Sequence, residues 1–120
     1  MMTEERDKWH DFPGTCRAQL NAIYSSIFLR GYTDVACPCC NEGTIAAYWR
    51  PYPNGEQFNG HRKGGSWMWC TACYGYDHSS ALVPSWWPEN DPLAESGVTL
   101  HRAPLELAAH WPEIRRSISS

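Results

Sequence analysis

Cys37-Pro38-Cys39-Cys40 and Cys70-Thr71-Ala72-Cys73 decide how this chain folds. Cys37, Cys40, Cys70 and Cys73 form a C-x2-C…C-x2-C set, the spacing of a structural zinc site. Two residues between cysteines let one tight turn aim both sulfurs at a single ion. Two such turns complete a tetrahedron of thiolates, and a closed tetrahedron leaves no position open for chemistry. Cys39 and His78 are the alternative ligands, although C-x-C or C-C spacing fits a chelating turn less well. His10, His61, His101 and His110 show no ligand spacing.

The stretch between the two turns reads as an aromatic hairpin. Residues 44–50 read as a strand that stops at Pro51, and residues 66–70 return as a second, with Trp67 and Trp69 on one face and Met68 on the other. Residues 51–65 hold Asn54-Gly55 and further glycines, the composition of a long exposed loop. A third strand is expected at 76–83 and a short one at 98–101.

Outward from this centre, residues 1–14 read as a polar lead. A helix is expected over 15–31, capped by Thr15 and stopped by Gly31. Leu20, Ile23, Tyr24, Ile27 and Phe28 fall on one apolar face. Cys16 continues that stripe as a small core residue, so Cys16→Ser should be mild. Residues 84–103 are irregular. A last helix is expected over 104–118, opened by Pro104, carrying Leu107, Trp111, Ile114 and Ile118, and kinked or divided by Pro112.

With 120 residues, one domain over 1–120 is expected, of α+β class: a small antiparallel sheet flanked by an N-terminal helix and a broken C-terminal helix. Seven Trp and six Tyr are many for this length; some fill the core and others suit an interface. Net charge is −3, and four thiolates around one Zn2+ take it to about −5. An acidic chain is a poor generic nucleic-acid binder and suits a protein partner. The N-terminal residues lack an apolar signal core and no stretch approaches a membrane span. Paired C-x2-C turns without a signal favour metal over disulfides and a reducing cytoplasm.

At these residues the chain resembles a zinc ribbon, in which two cysteine knuckles share one zinc. Cys37-Pro38-Cys39-Cys40 also resembles the bacterial cysteine-rich CPCC domain. The resemblance covers residues 35–83 and implies zinc ligation by Cys37, Cys40, Cys70 and Cys73. A ribbon knuckle follows its second cysteine with glycine, because that residue takes a positive φ. Here Asn41 and Tyr74 stand there; Asn accepts this conformation, and Gly75 is expected to take the second turn one residue late.

CPCC-like acidic proteins look like immunity proteins of toxin systems. That analogy implies a non-enzymatic module that binds and blocks a toxin catalytic domain. Its partner surface is expected in loop 51–65 with Arg62, at Trp86-Trp87, and at Glu89, Asp91 and Glu95. The competing expectation is a nucleic-acid-binding ribbon of transcription or translation, using the basic stretch 59–65 between aromatics. Enzyme motifs such as H-E-x-x-H or G-x-S-x-G do not occur.

Overall fold

The chain builds a mixed sheet with helices, an α+β fold, in a computed structural model that describes residues 8–31, 35–94, 96–100 and 104–119. The elements in order are β1 (His10–Asp11), a 3-10 turn (Gly14–Cys16), α1 (Arg17–Arg30), β2 (Ile45–Pro51), β3 (Gln57–Phe58), β4 (His61–Cys70), β5 (Gly75–Leu82), α2 (Leu105–Ala109) and α3 (Trp111–Ser119). Strand order is β1-β5-β4-β2, with β3 pairing the start of β4. β2, β4 and β5 are antiparallel, as their hairpin connections require, and register runs Ile45↔Cys70 to Pro51↔Gly64 and Lys63↔Leu82 to Trp69↔Tyr76.

The sheet is not antiparallel throughout. His10↔Gly75 and Asp11↔Tyr76 pair in parallel, so the polar lead supplies an edge strand. Its aromatic residues explain this: Phe12 is buried and Trp9 packs edge-on against Tyr74 and Tyr76. Pro13 (φ −59°) follows Phe12 and leads the chain off the sheet into the 3-10 turn. Residues 1–7 lie outside the described residues.

Loop 51–65 is shorter than its composition suggests. Asn59 and Gly60 both take positive φ (52° and 80°), the signature of a two-residue hairpin turn. Hence His61, Arg62 and Lys63 belong to β4 rather than to a loop tip. Asn54-Gly55 does turn the chain, with Gly55 N–H donating to Tyr52 O (3.2 Å), but inside a small bulge between β2 and β3.

α1 covers one face of the sheet. Leu20 and Ile27 are fully buried, Tyr24 O–H accepts from Trp49 Nε1 (3.1 Å), and Arg17 pairs with Asp77 (3.0 Å). Thr15 does not cap α1; Cys16 precedes it with no side-chain cap, and Gly31 (φ 96°) ends it. The other face meets the C-terminal helices, with Trp69 edge-on to Trp111 at 5.3 Å. The C-terminal helix is divided at His110, two residues before Pro112, which sits in the first turn of α3 where its missing N–H costs nothing. Residues 98–100 are not a strand, and His101 lies outside the described residues.

The irregular segment after β5 wraps the free edge of β2. Trp87 packs against Tyr48 and Trp49 at 5.4 and 5.2 Å, and Trp86 against Trp49 at 5.8 Å. Asp91 accepts from Tyr48 O–H and from Arg50 Nε (2.9 Å). Tyr48 and Trp49 are both fully buried.

Candidate metal centre

Turn chemistry places each sulfur. Cys37 and Cys40 bracket a tight turn closed by Asn41 N–H to Cys37 O (2.8 Å) and Cys37 N–H to Gly43 O (2.8 Å). Cys70 ends β4, and Cys73 follows one turn later. The two turns are tied to each other by Thr71 N–H to Thr44 O (3.0 Å) and Thr44 N–H to Thr71 Oγ1 (2.9 Å). Gly43 is required at this seam: a Cβ there would sit 2.7 Å from Ala72 N and 2.8 Å from Cys70 Sγ.

The four sulfurs of Cys37, Cys40, Cys70 and Cys73 lie within 4.8 Å of one another. Cys37 and Cys73 sulfurs are 3.9 Å apart, and those of Cys40 and Cys70 3.6 Å. A tetrahedron with metal–sulfur bonds of about 2.3 Å has edges of about 3.8 Å, so the cage fits a metal ion of zinc's size. Backbone N–H groups already point at the sulfurs: Cys39 at Cys37 (3.4 Å), Glu42 at Cys40 (3.5 Å), and both Ala72 and Cys73 at Cys70 (3.3 Å). The N–H groups of Glu42 and Gly43 draw the Cys40 thiol down to about 7, whereas burial pushes Cys70 and Cys73 upward. Bunched thiols in this environment ionise together only around a cation.

The second turn departs from expectation. Tyr74 itself takes the positive φ (65°), matching Asn41 (60°), and Gly75 does not. β1 holds Tyr74 in this conformation. His10 N–H donates to Tyr74 O (3.0 Å), His10 Nε2 donates to Cys73 O (3.0 Å), and Lys8 Nζ lies 5.7 Å over the Tyr74 ring. Gly75 serves packing instead, since a Cβ there would meet the Phe12 ring at 2.6 Å. Trp9 and Phe12, aromatic residues inside a charged lead, were the available sequence signal for this clamp.

Cys39 is not a ligand and Cys16 is not a free core thiol: they form a disulfide, Cα–Cα 5.8 Å, which joins the start of α1 to the first turn. His78 is also no ligand. Its ring stacks on Trp67 at 4.4 Å, and its Nδ1 meets Ser66 O at 3.0 Å.

The residues expected at a partner surface are scattered. Trp87 is 3% exposed, and Trp86 Nε1 donates to Ile27 O and Phe28 O (both 3.0 Å), so both serve packing rather than an open aromatic patch. Arg62 donates to Trp87 O (3.1 Å) and Pro88 O (3.4 Å). Asp91 is engaged by Tyr48 and Arg50, Glu89 is exposed, and Glu95 lies outside the described residues. A cavity of about 460 Å3 adjoins the metal cage between Trp9, Trp69, Tyr74 and Trp111; it has no histidine or carboxylate in its walls.

Comparison with known protein families, with curated proteins and with solved structures gave no match. No helix among the described residues is long and apolar enough to cross a membrane.

Proposed function

We propose that this protein is a non-enzymatic binding module whose cysteines hold a structural zinc in a ribbon-like pair of knuckles, and that it acts by binding another protein. The observation carrying this reading is the closed cage. Four sulfurs supply every position of a tetrahedral ion, two of these cysteines are fully buried, and among the described residues no further His, Cys, Asp or Glu joins the cluster. What remains for function is surface, and the surface is acidic overall.

The finer proposal is inhibition of a bacterial toxin's catalytic domain, in the manner of an immunity protein. It rests on the CPCC resemblance and on the acidic balance, and it places the protein in the cytoplasm of the producing cell. The Cys16–Cys39 bond weighs against a strongly reducing compartment. The nucleic-acid reading draws less support, because Arg62 is committed to two backbone carbonyls and Lys63 to Glu56 (3.1 Å).

The test is an affinity pull-down of the tagged protein from its own cells, with nuclease treatment before mass spectrometry. A stoichiometric protein carrying a separable catalytic domain supports the proposal, and the purified pair then goes into an inhibition assay. Polymerase or ribosomal components that disappear with nuclease would replace it with the nucleic-acid reading.

A further inference from the structure

The two edges of the sheet are treated differently. The β2 edge is flanked by other parts of the chain: Ile45 N–H donates to Val35 O (3.2 Å), and Trp86 and Trp87 pack on Trp49, which is fully buried. Among the described residues the β5 edge is covered only at its first two positions, because β1 pairs with Gly75 and Tyr76 and the chain then turns away at Pro13.

Register fixes which groups are left over. Val83 N–H donates inward to Arg62 O (2.7 Å), while Tyr76 O accepts outward from Phe12 N–H (3.3 Å). Successive residues of a strand point their backbone groups to opposite sides. The N–H and C=O groups of His78, Ser80 and Leu82 therefore point away from β4, and among the described residues none has a backbone partner. Natural edges are blunted by lysine, proline or a bulge, and His78-Ser79-Ser80-Ala81-Leu82 has none of these.

A cavity of about 350 Å3 lies at the far end of this edge, between α1 and β5. Tyr24, Phe28, Leu29, Ala81 and Leu82 line it, and Leu29 is 74% exposed. We infer that β5 from His78 to Leu82 is a docking edge for an extended segment of a protein partner, which adds as a strand and sets an apolar side chain into the cavity beside α1. The inference rests on the reading that the protein works by holding another protein.

A second copy of this chain is a poor occupant. Antiparallel pairing of β5 with itself about Ser80 sets residue 78 of one copy against residue 82 of the other. The side chains presented to the cavity would then be Asp77 and Ser79. Asp77 is already paired with Arg17, and bringing a carboxylate against an apolar pocket is unfavourable. A foreign strand with alternating apolar residues has no such conflict. It supplies backbone groups for affinity and one side chain for selectivity.

The experiment uses phage-displayed linear random peptides panned on the full-length, metal-loaded protein. Ser80→Pro removes an outward N–H at a position where an edge tolerates proline. Leu29→Asp alters the cavity rim at an exposed site. Retained metal content and tryptophan fluorescence check the fold of each variant. The expected result is a set of peptides with alternating apolar residues, each bound about tenfold more weakly by either variant. Amide exchange at Ser80 and Leu82 of the wild type should slow when peptide is bound. Absence of enriched peptides, or binding by both variants as tight as by the wild type, would overturn the inference. So would a wild-type dimer in sedimentation that Ser80→Pro makes monomeric. If a native partner is found and Ser80→Pro still binds it fully, the edge is wrong while the binding role stands. If panned peptides bind the edge but no protein is captured from cells, the edge stands and the role fails.

Discussion

Tyr74 carries a full side chain through φ 65°, a conformation that costs an ordinary residue about 1 kcal/mol or more. The strain persists because Trp9 packs edge-on to its ring at 5.2 Å and His10 holds its carbonyl. Tyr74→Ala keeps the strain and discards the ring contact, whereas Tyr74→Gly discards both. Urea unfolding should therefore find Tyr74→Ala the less stable of the two by about 1 kcal/mol. Gly43 is a sharper case, since any Cβ collides with backbone and with a ligand sulfur. Gly43→Ala should weaken metal retention at least about tenfold in chelator competition, because ligand geometry and not ligand identity is disturbed. The positive φ after each second cysteine was legible, since it follows from how a C-x2-C turn must close. Its placement at Tyr74 was not. The reason is a long-range contact: Gly75 is reserved for the Phe12 ring, and no local rule reports that.

Elements are legible where one local signal stands alone, as in the apolar stripe of α1 and the apolar run of β2, and less so where two signals compete. Asn54-Gly55 and Asn59-Gly60 are equivalent as turn dipeptides. Which one closes the hairpin depends on the pairing of β3 with β4. The cysteines posed a similar problem, because spacing identifies chelating turns but says nothing of a bond between distant residues. Cys16–Cys39 closes a loop of sequence separation 23 that contains all of α1. Cys16→Ser is therefore expected to destabilise by about 3 kcal/mol, not mildly. Denaturant unfolding of the wild type under a metal-sparing phosphine reductant should show a loss of the same size. The tie between β2 and the wrapped segment has its own signature in pH. Burial, and then Asp91, push the Tyr48 phenol well above its ordinary value near 10. A raised acid binds its proton more tightly in the folded state, so this stability is whole below about pH 10 and is lost as pH rises beyond it. Thermal melts from pH 9 to 11 should fall more steeply for the wild type than for Tyr48→Phe.

At the scale of the molecule, the metal cage and the disulfide meet in one corner, where α1, β1, β4 and β5 all begin or end. Without a metal, four thiols are bunched at that corner, Cys70 and Cys73 among them pushed upward by burial, and the two turns then lean on the Thr44–Thr71 hydrogen bonds. Strong chelation should lower the melting temperature substantially, and readdition of zinc should restore it; an unchanged melt would remove the ion from the stability argument. Ser substitution at Cys37, Cys40, Cys70 or Cys73 should have the same effect as chelation, measured as lost metal in mass analysis. The central location of this site was plain from the two cysteine pairs, but the parallel strand that clamps it was not, because its partner lies far along the chain. That separation has a consequence in time. His10 and Asp11 are made well before Gly75 and Tyr76 and cannot pair until these have followed, so this strand waits for β5 before it finds its place. Until then the aromatic rings of Trp9 and Phe12 travel uncovered, and the second cysteine turn emerges without its clamp. A nascent chain stalled before Tyr76 has cleared the exit tunnel would keep Trp9 to Phe12 open to a protease that the finished protein resists.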